Sequence, residues 1–201
     1  MKKKYKNVIS VDVGDNIQGG TLGAITSGEA IVTVLNKVEF DVNILGNHEF
    51  DYSIEKLEEL QNEMTSKYIC SNFCTRKDNK PVFDPYKIIE ITLSDDTTKK
   101  IAFIGIVTPK TFSNTYLSSI KDSDGNAVYN FLSEGDLLAE TVQKYIDQVT
   151  SMGTDYVILL THMGMNLELY TSNYLLSKIE GVNAILDGHT HAIYNQYKGQ
   201  K

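Results

Sequence analysis

Val42-Asn43-Ile44-Leu45-Gly46-Asn47-His48-Glu49-Phe50-Asp51 decides how this chain is read. Residues 42–45 have the makings of a short buried strand. Gly46 then lets the backbone turn sharply, and Asn, His, Glu and Asp crowd the loop that follows. The arrangement recurs. An apolar run at 8–13 leads into Gly14-Asp15-Asn16-Ile17-Gln18-Gly19-Gly20, one at 156–160 into Thr161-His162-Met163-Gly164, and one at 184–186 into Asp187-Gly188-His189-Thr190-His191. All four histidines lie in such Gly-bearing segments. A histidine used for packing can sit anywhere on a core face. Histidines placed only where strands hand over to loops are placed as ligands and proton carriers at one sheet edge. In open α/β folds ligands bind outside the carboxyl ends of the strands, and histidine is the commonest metal ligand and titrates near neutral pH.

Further strands are expected at 68–71, 88–93 and 101–107, the last two joined as a hairpin by the polar Ser94-Asp95-Asp96-Thr97-Thr98-Lys99-Lys100. Helical periodicity falls between the strands. Thr26-Ser27-Gly28-Glu29 has the form of a capping box, with Ile31, Val34, Leu35 and Val38 on one face behind it. Ser53 can cap a helix carrying Ile54, Leu57, Leu60 and Met64. The stripe Leu138, Val142, Tyr145, Ile146, Val149 and Met152 ends at Gly153. A fourth helix is expected over 169–179, and the polar stretch 108–130 reads as a surface insertion. Strands alternating with helices imply an α/β domain with a mostly parallel sheet.

The 201 residues suit one domain. A net charge of −7 argues against a nucleic-acid-binding surface, which needs a basic face. The one basic cluster, Met1-Lys2-Lys3-Lys4-Tyr5-Lys6, reads as a solvated end. Asp12 and Asp15 interrupt the apolar run behind it, so it makes no signal peptide. No window approaches the roughly 18–20 apolar residues of a membrane helix. Cys70 and Cys74, on an extended segment, would stand roughly 13 Å apart, beyond disulfide reach. They are expected to be buried free thiols.

Asp, Asn and His form a ligand set suited to zinc, manganese or iron. A carboxylate can bridge two cations, and cations roughly 3.5–4 Å apart can clamp a phosphate and activate water. Singly, each signal has a plainer reading. Asp15 alone would be a turn residue, and His162 alone a structural one. His189-Thr190-His191 places two imidazoles on one side of an extended segment, and an Asn beside a His in Gly46-Asn47-His48-Glu49 is an unusual combination.

Together and in this order, Gly-Asp, Gly-Asn-His-Glu-Phe-Asp, Thr-His-Met-Gly and Gly-His-Thr-His resemble the calcineurin-like metallophosphoesterases. The form of the second and third motifs is most similar to the 5'-nucleotidase and 2',3'-cyclic-nucleotide phosphodiesterase branch. The resemblance implies an αββα sandwich of mixed sheets and hydrolysis of nucleotide phosphoesters by metal-activated water. It implies that Asp15 bridges two divalent metals, zinc, manganese or iron. Asn47, His162 and His189 complete one metal site, and His191 belongs to the other. His48 is implied to be a catalytic residue facing the phosphate, with Asp51 orienting its imidazole.

The family opens on a strand carrying Asp-x-His, and no such pair precedes Gly14-Asp15 here. Residues 1–201 are therefore expected to be a partial metallophosphoesterase domain without the family's first strand. The C-terminal domain that holds the nucleotide base is expected to lie outside them. On that reading the chain alone binds one metal ion at most and has little activity, and the exposed sheet region favours self-association. Two alternatives stay open: a phosphoesterase for another substrate, and a non-catalytic metal-binding or interaction module. Members of this branch are often extracellular or held at the cell surface.

Overall fold

The computed structural model describes residues 4–111, 124–133, 136–165 and 171–193. Nine strands are found among them: β1 (Val11–Asp12), β2 (Val42–Ile44), β3 (Tyr68–Ile69), β4 (Phe73–Thr75), β5 (Tyr86–Thr92), β6 (Thr98–Val107), β7 (Tyr129–Phe131), β8 (Tyr156–His162) and β9 (Ala184–Asp187). The helices are α1 (Thr21–Ile25), α2 (Glu29–Val38), α3 (Ile54–Glu63), α4 (Leu137–Ser151) and α5 (Ser172–Leu176), with a 3-10 turn at His48–Phe50. No helix of the described residues is long and apolar enough to cross a membrane.

The strands form three sheets instead of the one mostly parallel sheet expected from the alternation of elements. β1-β2-β3 is parallel, β5-β6-β8-β9 is mixed, and β4-β7 is an antiparallel pair. The expected hairpin is present as β5 and β6, closed by Leu93 N donating to Thr97 O at 2.8 Å. The expected strand at 68–71 breaks after Ile69, because the chain there crosses between sheets. Ser71 N donates to Gly105 O at 2.8 Å, and the Asn72 amide pairs with both the carbonyl and the N–H of Val107. Cys70 and Cys74 are buried free thiols. Within the expected insertion at 108–130, β7 pairs with β4; residues 112–123 lie outside the described residues.

Packing makes four layers. Val32, Leu35, Ile54, Leu57, Leu60 and Met64 from α2 and α3 pack against one face of the three-stranded sheet, with Phe50, Phe73 and Phe131 joining them. Leu138, Val142, Ile146 and Val149 of α4 cover the outer face of the four-stranded sheet. Between the sheets lie Val42, Ile44, Ile69, Phe103 and Leu160. The order helix, sheet, sheet, helix is the αββα sandwich, with mixed sheets, that the motifs implied.

Ser53 caps α3 as expected, its Oγ accepting from Lys56 N at 3.2 Å. The predicted face of α2 is displaced. Val34 and Val38 are exposed, while Val32 and Leu35 are buried. Gly28 precedes the helix at φ +89°, so the Thr26-to-Glu29 capping box does not form. Thr26 Oγ1 instead accepts from Ala30 N at 3.2 Å. Of the α4 stripe only Met152 is exposed. Helix α5 falls within the expected 169–179 segment, of which 169 and 170 lie outside the described residues.

Candidate metal centre

The carboxyl ends of β1 and β2 in one sheet and of β8 and β9 in the other meet at one place. Four motif loops follow them. Gly14 and Gly46 make the first two loops touch. A Cβ on Gly14, which stands at φ +88°, would sit 2.3 Å from Gly46 N, and one on Gly46 would sit 2.3 Å from Asp15 Oδ1. The third loop is tied across the sheets by His162 Nδ1, 2.6 Å from Val13 O.

Asp15, His162 and His189 each bring a ligand atom within 4.8 Å of the others. Asp15, His189 and His191 take positive φ angles of 63°, 83° and 52°. L-residues adopt such conformations rarely, and they concentrate where structure serves a site. His191 itself is exposed and stands outside this three-residue group.

Three buried atoms of the motif segments lack a hydrogen-bond partner: Asn47 Oδ1, Asp187 Oδ2 and His162 Nε2. The last lies 2.9 Å from Asp15 Oδ2, without hydrogen-bond alignment. Because Nδ1 faces the Val13 carbonyl and carries the proton, the neutral ring has its lone pair on Nε2, the arrangement typical of a ligating histidine with an outer partner. Leaving a buried polar atom unsatisfied costs about 1–3 kcal/mol. A divalent cation held by Asp15, His162 and His189 would remove that cost at His162 Nε2, and Asn47 Oδ1 is the free oxygen in the adjoining loop; this oxygen and imidazole set suits zinc, manganese or iron. The residues fit such an ion.

Burial works against the charged forms of both Asp15 and His162. His162 together with the His48 N–H outweighs it at Asp15 and holds the carboxyl below the ordinary range, while Asp15 together with the Val13 carbonyl holds the His162 imidazole above it. His189 is pushed down by burial and by the neighbouring His162, toward the neutral form a ligand needs. Asp12, desolvated and near Glu49, is raised to about 6.

His48 stands at the rim. Its Nδ1 lies 2.7 Å from Asp51 Oδ2, and its main-chain N donates to Asp15 Oδ1 at 2.9 Å. Burial lowers its pKa, but Asp51 and Asp15 together raise it above the usual histidine value. The pair predicted from the three-residue spacing is therefore formed, on the 3-10 turn that follows β2.

Two carboxylates that the motifs gave no role are engaged in loop contacts. Glu49 is completely buried and accepts main-chain N–H groups from Asp15, Asn16, Ile17 and Gly46. Asp187 Oδ1 accepts from Thr161 Oγ1 and from the N–H groups of Met163 and Gly164. A glutamate inside a loop that follows a buried strand was the available signal, since Glu is almost never fully buried without partners.

Residues 1–192 match the calcineurin-like phosphoesterase family, and the chain belongs to it. A 2',3'-cyclic-nucleotide 2'-phosphodiesterase/3'-nucleotidase of Salmonella typhimurium is 31% identical over 96% of this chain, which covers 31% of that protein. The chain thus spans under a third of the length of that relative. Among solved structures, the calcineurin-like phosphoesterase YfkN of Bacillus subtilis superposes with a TM-score of 0.80 at 25% identity, over 98% of this chain and 62% of that one. The NAD nucleotidase of Haemophilus influenzae superposes with a TM-score of 0.73 at 27% identity, over 97% of this chain and 31% of that one. Members of the family are phosphoesterases that use divalent metals.

Proposed function

We propose that this chain carries the hydrolytic site of a nucleotide phosphoesterase, acting on 5'-nucleotides or 2',3'-cyclic nucleotides. The observation that supports it best is the gathering of ligand atoms of Asp15, His162 and His189 within 4.8 Å of one another, with His162 Nε2 buried and unpartnered. Asp15, Asn47, His162 and His189 would hold one divalent cation, and Asp15 with His191 would contribute to a second. Cations so held would supply activated water and neutralise charge on the phosphoryl oxygens.

The chain's own residues divide the remaining work. Asp15 would contribute a carboxylate oxygen to each of the two cation positions. His162 is fixed by Val13 O, so its Nε2 points steadily into the site. His48, protonated more readily than a free histidine, faces the phosphate and stabilises the charge that builds in the transition state. Asp51 accepts the hydrogen bond from Nδ1–H, which leaves the protonated Nε2 to donate to the leaving oxygen. Five of these residues are candidate ligands, and only one cation position has four of them. The 201-residue polypeptide by itself is therefore proposed to bind one cation tightly and to turn over slowly.

β1 and β9 each have a strand on one side only among the described residues, and these edges are where a second copy would add.

Phosphate release from AMP, 3'-AMP and 2',3'-cyclic AMP, with manganese or cobalt added to chelator-treated protein, tests the reading. The expected result is metal-dependent release from at least one of the three, abolished by His162→Ala. Release that persists in excess chelator, or that survives His162→Ala, would count against it.

A further inference from the structure

The wider molecule offers few rivals to the loops around Glu49. Shallow grooves along α4 and beside Arg76 are open and lined by solvated charges. The two thiols are buried and apart from any ligand set. Glu49 differs from these because its contacts cross between two ligand-bearing loops.

Its Oε2 accepts from Asp15 N at 2.8 Å and Gly46 N at 2.6 Å. Its Oε1 accepts from Asn16 N at 2.6 Å and Ile17 N at 3.3 Å. One side chain thus takes four main-chain donors, one from its own loop and three from a loop 32 to 34 residues before it. Two of them flank Asp15, whose φ of +63° an unsupported L-residue would leave. A third belongs to Gly46, next to Asn47. All four donors converge on a carboxylate with no solvent exposure, so no water can take its place.

We infer that Glu49 is a positioning residue: it holds Asp15 and Asn47 at their cation-binding separation before any cation arrives, without itself being a ligand. This rests on the proposed metal-dependent function. A loop pair that is already ordered loses less freedom when the ion binds, and outer partners of metal ligands typically alter affinity by about 10- to 100-fold.

Two measurements test it. In metal-free wild-type protein, amide exchange at Asp15, Asn16 and Gly46 should be slow, comparable to core amides of β6. Unprotected exchange there, becoming slow only with cobalt, would overturn the inference by showing that the ion orders the loops. In the second arm, Glu49→Gln should weaken cobalt binding by about 10- to 100-fold in calorimetry and change the cobalt visible spectrum. Val149→Ala, a core truncation in α4 away from the site, serves as the control for lost stability and should bind cobalt within about twofold of wild type. An unchanged affinity and spectrum in Glu49→Gln, or an equal loss in Val149→Ala, overturns the inference. Should Glu49→Gln fail to fold, the exchange measurement decides alone. Wild-type protein that binds no cobalt overturns the functional reading, while exchange still reports whether Glu49 holds the loops.

Discussion

In the proposed mechanism His48 acts on the phosphate only while Asp51 holds Nδ1, because the ring has to present Nε2 with a proton on it. Replacing it with glutamine removes the proton without emptying the rim. His48→Gln is expected to lower kcat by about 10²-fold or more while cobalt affinity stays unchanged, checked by steady-state phosphate release and calorimetry. A kcat within threefold of wild type (roughly 0.6 kcal/mol in barrier) would remove His48 from the mechanism. The two cysteines make a second residue-scale case. Burial pushes the Cys70 thiol up to about 11 and Cys74 to about 12, from an ordinary 9.0. The folded chain therefore keeps protons that the unfolded chain releases above about pH 9. Their contribution is intact below that pH and declines as pH rises toward 11 and 12, by about 1.4 kcal/mol per unit per thiol. Urea unfolding at pH 8.5 and 10.5 should show a smaller alkaline loss in the Cys70→Ala, Cys74→Ala double variant. Equal losses would mean the thiols do not govern that range.

At the scale of elements, α3 begins under tension. Ser53 stands at φ +98° and ψ 162°, a region occupied almost only by glycine, yet its hydroxyl caps Lys56 N. Ser53→Ala loses the cap and keeps the strain, and should destabilise the protein by about 1 kcal/mol. Ser53→Gly loses the cap too but releases strain worth about 1–3 kcal/mol, so it should match or exceed wild-type stability. Denaturant midpoints of the two variants should fall on opposite sides of this comparison, and a glycine variant weaker than the alanine one would refute it. The cap itself was legible, as were the α4 stripe and the β5–β6 hairpin, because each depends on neighbours a few residues away. The α2 face was not: Val34 and Val38 fit the helical period, but the entry at Gly28 rotates Val32 toward α3 instead. Nothing local marks that rotation.

For the molecule as a whole, the spacing of the two sheets depends on Gly105. A Cβ there would sit 2.3 Å from Ile69 O, a distance real contacts never reach. The carbonyl of Gly105 itself accepts from Ser71 N and Ser71 Oγ, both at 2.8 Å. Gly105→Ala must push β3 and β6 apart, and a loss of about 1–3 kcal/mol is expected from such overpacking, measured by chemical denaturation. An unchanged midpoint would mean the sheets can part without cost.

Gly-Asp, Gly-Asn-His-Glu, Thr-His-Met-Gly and Gly-His-Thr-His sufficed to place the family and the αββα sandwich, and three of the residues they offered as ligands, Asp15, His162 and His189, stand together. The motifs suffice because strand ends, tight turns and ligand chemistry are written in consecutive residues. Three features belong to the tertiary structure alone. The division into three sheets follows from where the chain crosses at Ser71 and Asn72, and β7 is a strand only because β4 is there to pair with it. The roles of Glu49 and Asp187 depend on which main-chain N–H groups reach their oxygens, some of them from loops distant in sequence. The orphaned Asn47 Oδ1 and His162 Nε2 are likewise properties of burial, since an amide oxygen or a ring nitrogen lacks a partner only once packing has excluded water from it.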